Sequence, residues 1–425
     1  MPTPLPGPIR NWAGNVTFTP SELVRPGEVA ELQELVARSR KVRVLGSGHS
    51  FNRIADTDGV LVSVRDLAGA AQLDAATGEV TVPGGATYAQ LGTFLQDHGR
   101  ALHNTGSLPH ISVAGACATG THGSGVGNKI LPAAVTAVEL VRADGELVRL
   151  SRADDPDVFG GAVLALGALG VVVRLTLETE PTYDVRQDLW QDVPFERLLA
   201  DVEDVMAAGY SVSVFTDWSR PDVVDKVWVK SRVTDFRDRP DDWLGGRRAT
   251  APQHPIVTED PVGATEQLGV PGPWNARLPH FRIEFTPSSG EEIQSEYMVE
   301  RRYLADAVAA VRGLADRMPG VLQVFELRTM AADDLWLSPS YDRDTVGLHF
   351  TWVDDMELVR PVLGALEAAI AGFAPRPHWG KAFTAPDDVV RACYERLPDF
   401  AALVHRLDPE GTFGNAFTDR FVRSD

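Results

Sequence analysis

Val42-Arg43-Val44-Leu45-Gly46-Ser47-Gly48-His49-Ser50-Phe51-Asn52 is the stretch on which the reading of this chain turns. Val42, Val44 and Leu45 make a short apolar run bounded by turn residues, the pattern of a buried strand. Gly46 and Gly48 permit positive φ and let the backbone approach a ligand closely. His49 follows directly, so the turn presents an imidazole where a bound cofactor would touch it.

Two look-alike motifs fail here at single positions. A dinucleotide fingerprint needs a third glycine where Phe51 stands, and no helix pattern follows the turn. A hydrolase nucleophile elbow around Ser50 needs glycine where Asn52 stands, and too little chain precedes it to build that fold. A serine hydrolase, which would be colourless, stays as the rival from another class.

Working outward, a helix is expected after Pro26-Gly27, with Val29, Leu32, Leu35 and Val36 on one face. Short strands are expected at Val60–Val64 and Glu79–Val82, and Thr87 can cap a helix carrying Leu91, Phe94 and Leu95. The segment from Leu102 to Gly127 is glycine-rich, with hydroxyls and small residues between, and cannot build a core from its own side chains. It can lay backbone N–H groups along a pyrophosphate-bearing ligand. Val135–Leu150 reads as a hairpin about Asp144-Gly145, and Leu169–Leu177 as a strand. Glu180-Pro181 marks a boundary.

Beyond it longer strands are expected at Ser211–Phe215, Lys226–Val233, Phe281–Phe285, Val321–Thr329 and Val346–Val353. Helices are expected at Phe195–Ala208, Tyr303–Arg317 and Leu358–Ala371, with loops over Pro240–Pro279. The expected division is 1–180, 181–375 and a C-terminal return, 376–425.

The chain has 425 residues, 44% hydrophobic and 23% charged, with a formal net charge of −19. That length implies more than one core. The acidic balance excludes a nucleic-acid partner and argues against an anionic membrane surface. Met1–Gly14 lacks the apolar centre of a signal peptide, no apolar run is long enough to span a bilayer, and two cysteines make no disulfide or metal framework. A cytoplasmic monomer without a metal is the expectation.

In a strand, residues two apart share a face. Glu326 and Arg328 therefore project together, as do His349 and Thr351, from strands otherwise apolar. If the strands are neighbours, four polar groups converge, with Lys381 following Trp379-Gly380. The plainer alternative is an ion pair on a solvated sheet face. Arg, Lys, Glu and Thr together offer both donors and acceptors.

The histidine turn, Pro109-His110-Ile111-Ser112-Val113-Ala114-Gly115, Thr119-Gly120-Thr121-His122-Gly123, Gly167–Val171, Glu326-Leu327-Arg328, His349-Phe350-Thr351-Trp352 and Pro377–Lys381 together resemble the vanillyl-alcohol-oxidase-type FAD-linked oxidases, and within them the alditol oxidases and sugar-lactone oxidases. The resemblance implies an α+β, two-domain FAD-binding fold with a cap built on a large antiparallel sheet. It implies FAD bonded covalently through His49, and a cofactor site including Gly46, Ser47, Gly48, Ser50, Gly106, Ser107, Gly115, Thr119, Gly120, Thr121, His122, Gly123, Gly170 and Val171. It places Ser107, Glu326, Arg328, His349, Thr351 and Lys381 around the substrate. The expected reaction is oxidation of the terminal primary hydroxyl of xylitol, sorbitol or a similar alditol to the aldose, with O₂ reduced to H₂O₂. Lys381 or His349 would take the hydroxyl proton, Arg328 fix the oxygen and Glu326 bind a neighbouring hydroxyl. The alternatives are a sugar-1,4-lactone oxidase or dehydrogenase on the same fold, and a flavin-binding protein without catalysis.

Overall fold

The Val42–Val44 strand pairs in parallel with Val60–Val62, which pairs in parallel with Glu22–Val24 on its other side. This is a computed structural model, and it describes residues 7–285 and 290–422. The helix Val29–Arg38 seats Leu32, Leu35 and Val36 on these strands, and the Glu31 carboxylate accepts the Gly27 N–H at 2.9 Å at its start. A five-stranded antiparallel sheet lies behind, in the order Gln72–Leu73, Val80–Pro83, Val171–Leu177, Val135–Val141, Leu147–Ser151. The last two strands form the expected hairpin, with Gly145 at φ +82. Thr87 caps the helix Tyr88–Asp97 through a reciprocal box with Gln90.

The largest sheet has nine strands among the described residues, all antiparallel, running Arg247–Arg248, Asp184–Pro194, Val223–Arg232, Ser211–Thr216, Leu322–Met330, Thr345–Val353, Glu292–Glu300, Arg376–Pro377, with Gly272–Pro273 also on Asp184–Pro194. Its two faces follow the period of two. Val346, Leu348, Phe350 and Trp352 point one way, with Phe325, Leu327, Ile293, Tyr297 and Val299, into a core closed by helices Phe195–Ala200, Val202–Met206, Leu304–Arg312 and Met356–Ile370. The intervening residues face the first domain. They include Glu326, Arg328, His349 and Thr351, so this face is walled by protein, not bathed in solvent.

One expected strand is absent. Phe281–Phe285 is a turn with a single bridge, Phe281 to Ala264. Its amides are committed elsewhere: Phe281 N–H donates to Ser107 O, Arg282 N–H to Gly263 O and Phe285 N–H to Arg282 O, and Phe285 lies exposed. The sheet instead takes Glu292–Glu300, whose Ile293/Ser295/Tyr297/Val299 alternation was readable. The helix expected at Phe195–Ala208 is two short pieces, broken at Asp201 (φ −117, ψ 20). Among the described residues no helix is long and apolar enough to cross a membrane.

Candidate active site

A cavity of about 910 Å³ lies between the histidine turn and the polar face of the large sheet. That is the upper end of small-molecule sites, room for an extended cofactor with a substrate beyond it. One wall is Gly46–Phe51 with Ser112, Gly115, Thr119, Thr121, His122 and Gly170; the opposite wall carries Gln294, Glu296, Glu326, Arg328, His349, Thr351 and Lys381.

His49 stands at the junction. Gly48 holds the left-handed φ of +75 that lets the turn close, and its carbonyl accepts the Trp12 N–H at 2.8 Å. The imidazole stacks on Trp12, ring centres 4.5 Å apart. Burial, with Lys381 and His110 adding to it, lowers the His49 pKa to about 4. The ring is therefore neutral at pH 7 and its nitrogen lone pair is available for bonding. Two residues on, Phe51 N–H donates to Gly380 O at 2.7 Å, and Asn52 Nδ2 donates to Trp379 O and Lys381 O at 2.8 and 2.9 Å. The turn that carries His49 thus also fixes the backbone that carries Lys381.

The cofactor wall is built for close approach. A Cβ on Gly46 would stand 2.5 Å from Ser112 Oγ, and one on Gly115 2.6 Å from it. Ser112 Oγ is buried with no hydrogen-bond partner among the described residues, while its backbone N–H is met by Ser47 Oγ at 3.2 Å. An orphaned hydroxyl between two glycines on a cavity wall is what a polar cofactor group would satisfy, so these residues fit FAD.

Across the cavity the register places Glu326 directly opposite His349. Glu326 Oε1 lies 2.8 Å from His280 Nε2 and 3.4 Å from Arg328 Nε. Behind His280, the fully buried Lys230 donates to Leu278 O, Pro279 O and His280 Nδ1, at 2.6, 2.9 and 3.3 Å. Glu326 is ionised and a carboxylate only accepts, so His280 donates from Nε2 and turns its bare Nδ1 to Lys230. Burial works against ionising Glu326, but Arg328 and His280 outweigh it and hold the carboxyl below its usual range. Arg328 also donates to Ser107 Oγ at 3.3 Å. Lys381 donates to Gln294 Oε1, and its Nζ sits 5.1 Å from the Phe51 ring centre. Burial pulls the Lys381 ammonium down to about 8, with Glu296 opposing and Arg328 reinforcing.

Glu296 is buried among His122, His349 and Arg328, at 3.0, 3.0 and 3.5 Å. Burial again opposes ionisation, and these three neighbours outweigh it. His122, Glu296 and His378 are close enough to hold a metal ion. His122 Nε2 already lies 3.0 Å from Glu296 Oε1, and His378 Nδ1 accepts the Gly380 N–H at 3.0 Å.

Residues 20–151 match the family model described as an FAD binding domain, and residues 289–421 match that of D-arabinono-1,4-lactone oxidase. The chain is 52% identical over 412 residues to an alditol oxidase of a Streptomyces species, covering 96% of this chain and 97% of that one. The chain belongs to the alditol oxidase family of FAD-linked oxidases. It is also 33% identical to an L-gulono-1,4-lactone dehydrogenase of Mycobacterium tuberculosis, over 97% of this chain and 98% of that one. Among solved structures a cholesterol oxidase of B. sterolicum superposes with a TM-score of 0.79 at 16% identity, over 99% of both chains, which speaks for the fold alone. The protein is an FAD-dependent oxidoreductase with the two-domain fold of this family.

Most residues read from the sequence share the cavity wall, but Gly106, Gly120, Gly123 and Val171 do not line it. Gly120 is the left-handed cap (φ +78) of the helix Val113–Thr119. A Cβ on Gly123 would meet Asn104 Oδ1 and Thr105 O at 2.4 Å, so its need is packing. Val171 lies in the core with Val42 and Val62, and Val172 takes the cavity position. Gly106 borders a separate small crevice.

The sequence assigns no site role to Trp12, Gln294, Glu296 and His280, and reaches Ser112 and His378 only as members of the segments that carry the resemblance. Gln294 and Glu296 carried a signal, the polar half of an alternating strand. Trp12 and His280 carried none, because loop contacts place them.

The Gly46 contact gives a first prediction. Gly46→Val in the His49→Ala background, where FAD binds reversibly, is expected to fold, with native-like circular dichroism, yet to raise the Kd for FAD by about tenfold or more, the effect of some 1.4 kcal/mol of lost binding. An unchanged Kd in that titration would remove Gly46 from the cofactor wall.

Proposed function

We propose that the protein oxidises the terminal primary hydroxyl of an acyclic polyol such as xylitol or sorbitol to the aldose, with O₂ as acceptor and H₂O₂ as product, using FAD tethered through His49. The observation that carries this reading is the row Glu326, Arg328, His349 and Thr351 on adjacent strands, with Ser107 and Lys381, facing a cavity whose far wall presents His49. When bound, FAD supplies the two-electron oxidation of the carbinol carbon and passes those electrons to O₂.

The chain's own residues do the rest. The Arg328 guanidinium holds the reacting oxygen by charge-assisted hydrogen bonds. Glu326, held ionised by Arg328 and His280, takes the proton side of the next hydroxyl. Ser107 and Thr351 serve either sense of hydrogen bond along the substrate. Lys381 and His349 are the candidates to accept the hydroxyl proton. A wall of buried donors and acceptors rejects an analogue lacking the matching hydroxyls, because those groups would be left unpaired.

A lactone substrate is the second reading, favoured by the family model over residues 289–421. Anaerobic mixing with xylitol, sorbitol and L-gulono-1,4-lactone separates the two. Xylitol or sorbitol is expected to bleach the flavin faster than the lactone by about 100-fold or more, a gap that a wall built for hydroxyls can enforce. Faster bleaching by the lactone would replace the alditol reading.

A further inference from the structure

We propose that Glu296 is a positioning residue that makes His349 the proton acceptor of the reaction, an inference that rests on the alcohol-oxidising reading above. Glu296 Oε2 lies 3.0 Å from His349 Nδ1, both side chains buried. An ionised carboxylate only accepts hydrogen bonds, so Nδ1 carries the ring proton and Nε2 is the bare nitrogen. Nε2 is 3.4 Å from Thr351 Oγ1, on the cavity wall beside Arg328.

The carboxylate is itself held. His122 places Nε2 3.0 Å from Glu296 Oε1 and Nδ1 2.8 Å from Gly123 O. Arg328 lies 3.5 Å from the same Oε1. Both oxygens of Glu296 are thereby fixed, and with them the plane and tautomer of His349. The arrangement follows the logic by which an acid orients a histidine base and stabilises the cation formed on it.

In the step, the substrate O–H bond breaks and a bond to His349 Nε2 forms, leaving an imidazolium against the Glu296 carboxylate. The two electrons and the carbinol hydrogen are the flavin's part. Lys381 is the weaker candidate. Below about pH 8 it is an ammonium without a lone pair, and it already donates to Gln294. The charged and titratable groups around His349 are Glu296, Arg328, Glu326, Lys381, His122 and His378. Burial lowers the His349 pKa, opposed by Glu296 and reinforced by Lys381 and Arg328, so the ring is neutral above its usual range.

The test is Glu296→Gln in the flavin-loaded enzyme, with xylitol in anaerobic stopped flow across pH. The rate constant of flavin reduction is expected to fall by about 100-fold or more, the scale of general-base catalysis, with half-saturation moving less than about threefold. The acid limb of the wild-type profile is expected below the ordinary histidine range, and to move to lower pH in the variant, because the lost carboxylate no longer favours the protonated ring. A reduction rate within about threefold of wild type would overturn the proposal, as would a wild-type limb near pH 8, which belongs to Lys381. Nitrogen NMR of ¹⁵N-histidine-labelled wild-type protein reads the tautomer independently of turnover and of the variant's folding. His349 protonated on Nδ1 supports the proposal, and protonation on Nε2 overturns it. If xylitol, sorbitol and lactone all leave wild-type flavin oxidised, the substrate reading has failed, and the tautomer still decides the role of Glu296.

Discussion

Replacing His49 with alanine is expected to abolish acid-stable flavin: after acid precipitation the yellow colour should move wholly from the pellet, where wild type keeps it, to the supernatant. The expectation comes from three features of the turn. The imidazole is neutral at pH 7, with its pKa lowered to about 4, and stacking on Trp12 fixes its orientation. The glycine at 48 is in the left-handed region and cannot become another residue without strain, so the ring is presented from a rigid turn. The cradle of Gly46, Gly115 and Ser112 is separate from the ring, so the alanine variant should still take up FAD reversibly. It should lose the stability that a permanently bound ligand confers, about 4 kcal/mol where wild-type occupancy corresponds to a thousandfold excess over Kd, and its Tm should rise with added FAD while that of wild type does not. Colour in the supernatant for wild type, or in the pellet for the variant, would detach His49 from the cofactor.

The sequence carried the cofactor side and the sheet's polar face for different reasons. Gly46 and Gly48 are legible because backbone conformation and close approach leave few residue choices. Glu326, Arg328, His349 and Thr351 are legible because a strand repeats every two residues, and a polar pair at that spacing in an apolar run breaks the pattern visibly. The pairing of Glu326 with His349 needed the strand order, which no single strand encodes.

Glu296 was lost through a competing pattern. Phe281, Ile283 and Phe285 alternate as a strand would, yet the amides of Phe281, Arg282 and Phe285 go to Ser107 O, Gly263 O and Arg282 O, and the segment stays a turn. His280 and His378 reach the site through loops, where position depends on carbonyls such as Leu278 O and Pro279 O and not on any periodicity. Asn52 is the instructive case. It counted only as a mismatch to a hydrolase motif, whereas its amide ties the cofactor turn to Trp379 and Lys381 more than 320 residues on.

Arg328→Met should be the most damaging single change at the substrate wall, in both rate and stability. Arg328 lies between two buried carboxylates, 3.4 Å from Glu326 and 3.5 Å from Glu296, and donates to Ser107. Without it flavin reduction by xylitol should slow by about 10²–10³-fold or more, the effect of removing a preorganised donor at a developing charge. Arg328→Lys should recover little of this, since an ammonium cannot reproduce the planar fork.

Removing one partner of a buried pair should also cost about 3–5 kcal/mol near pH 7. The pH dependence has a definite sign. The Glu326 and Glu296 carboxyls are held below their ordinary values in the fold, with Arg328 among the causes. Their stabilisation is therefore present above the unfolded pKa of about 4.3 and is lost as pH falls through the lower folded values. The methionine variant has less of this to lose. The Tm gap between it and wild type should be wide at pH 7 and narrow as pH falls below about 4. Equal gaps at both pH values would mean that Arg328 stabilises by packing its stem and not by pairing charges, and wild-type reduction kinetics in Arg328→Met would take the guanidinium out of the chemistry.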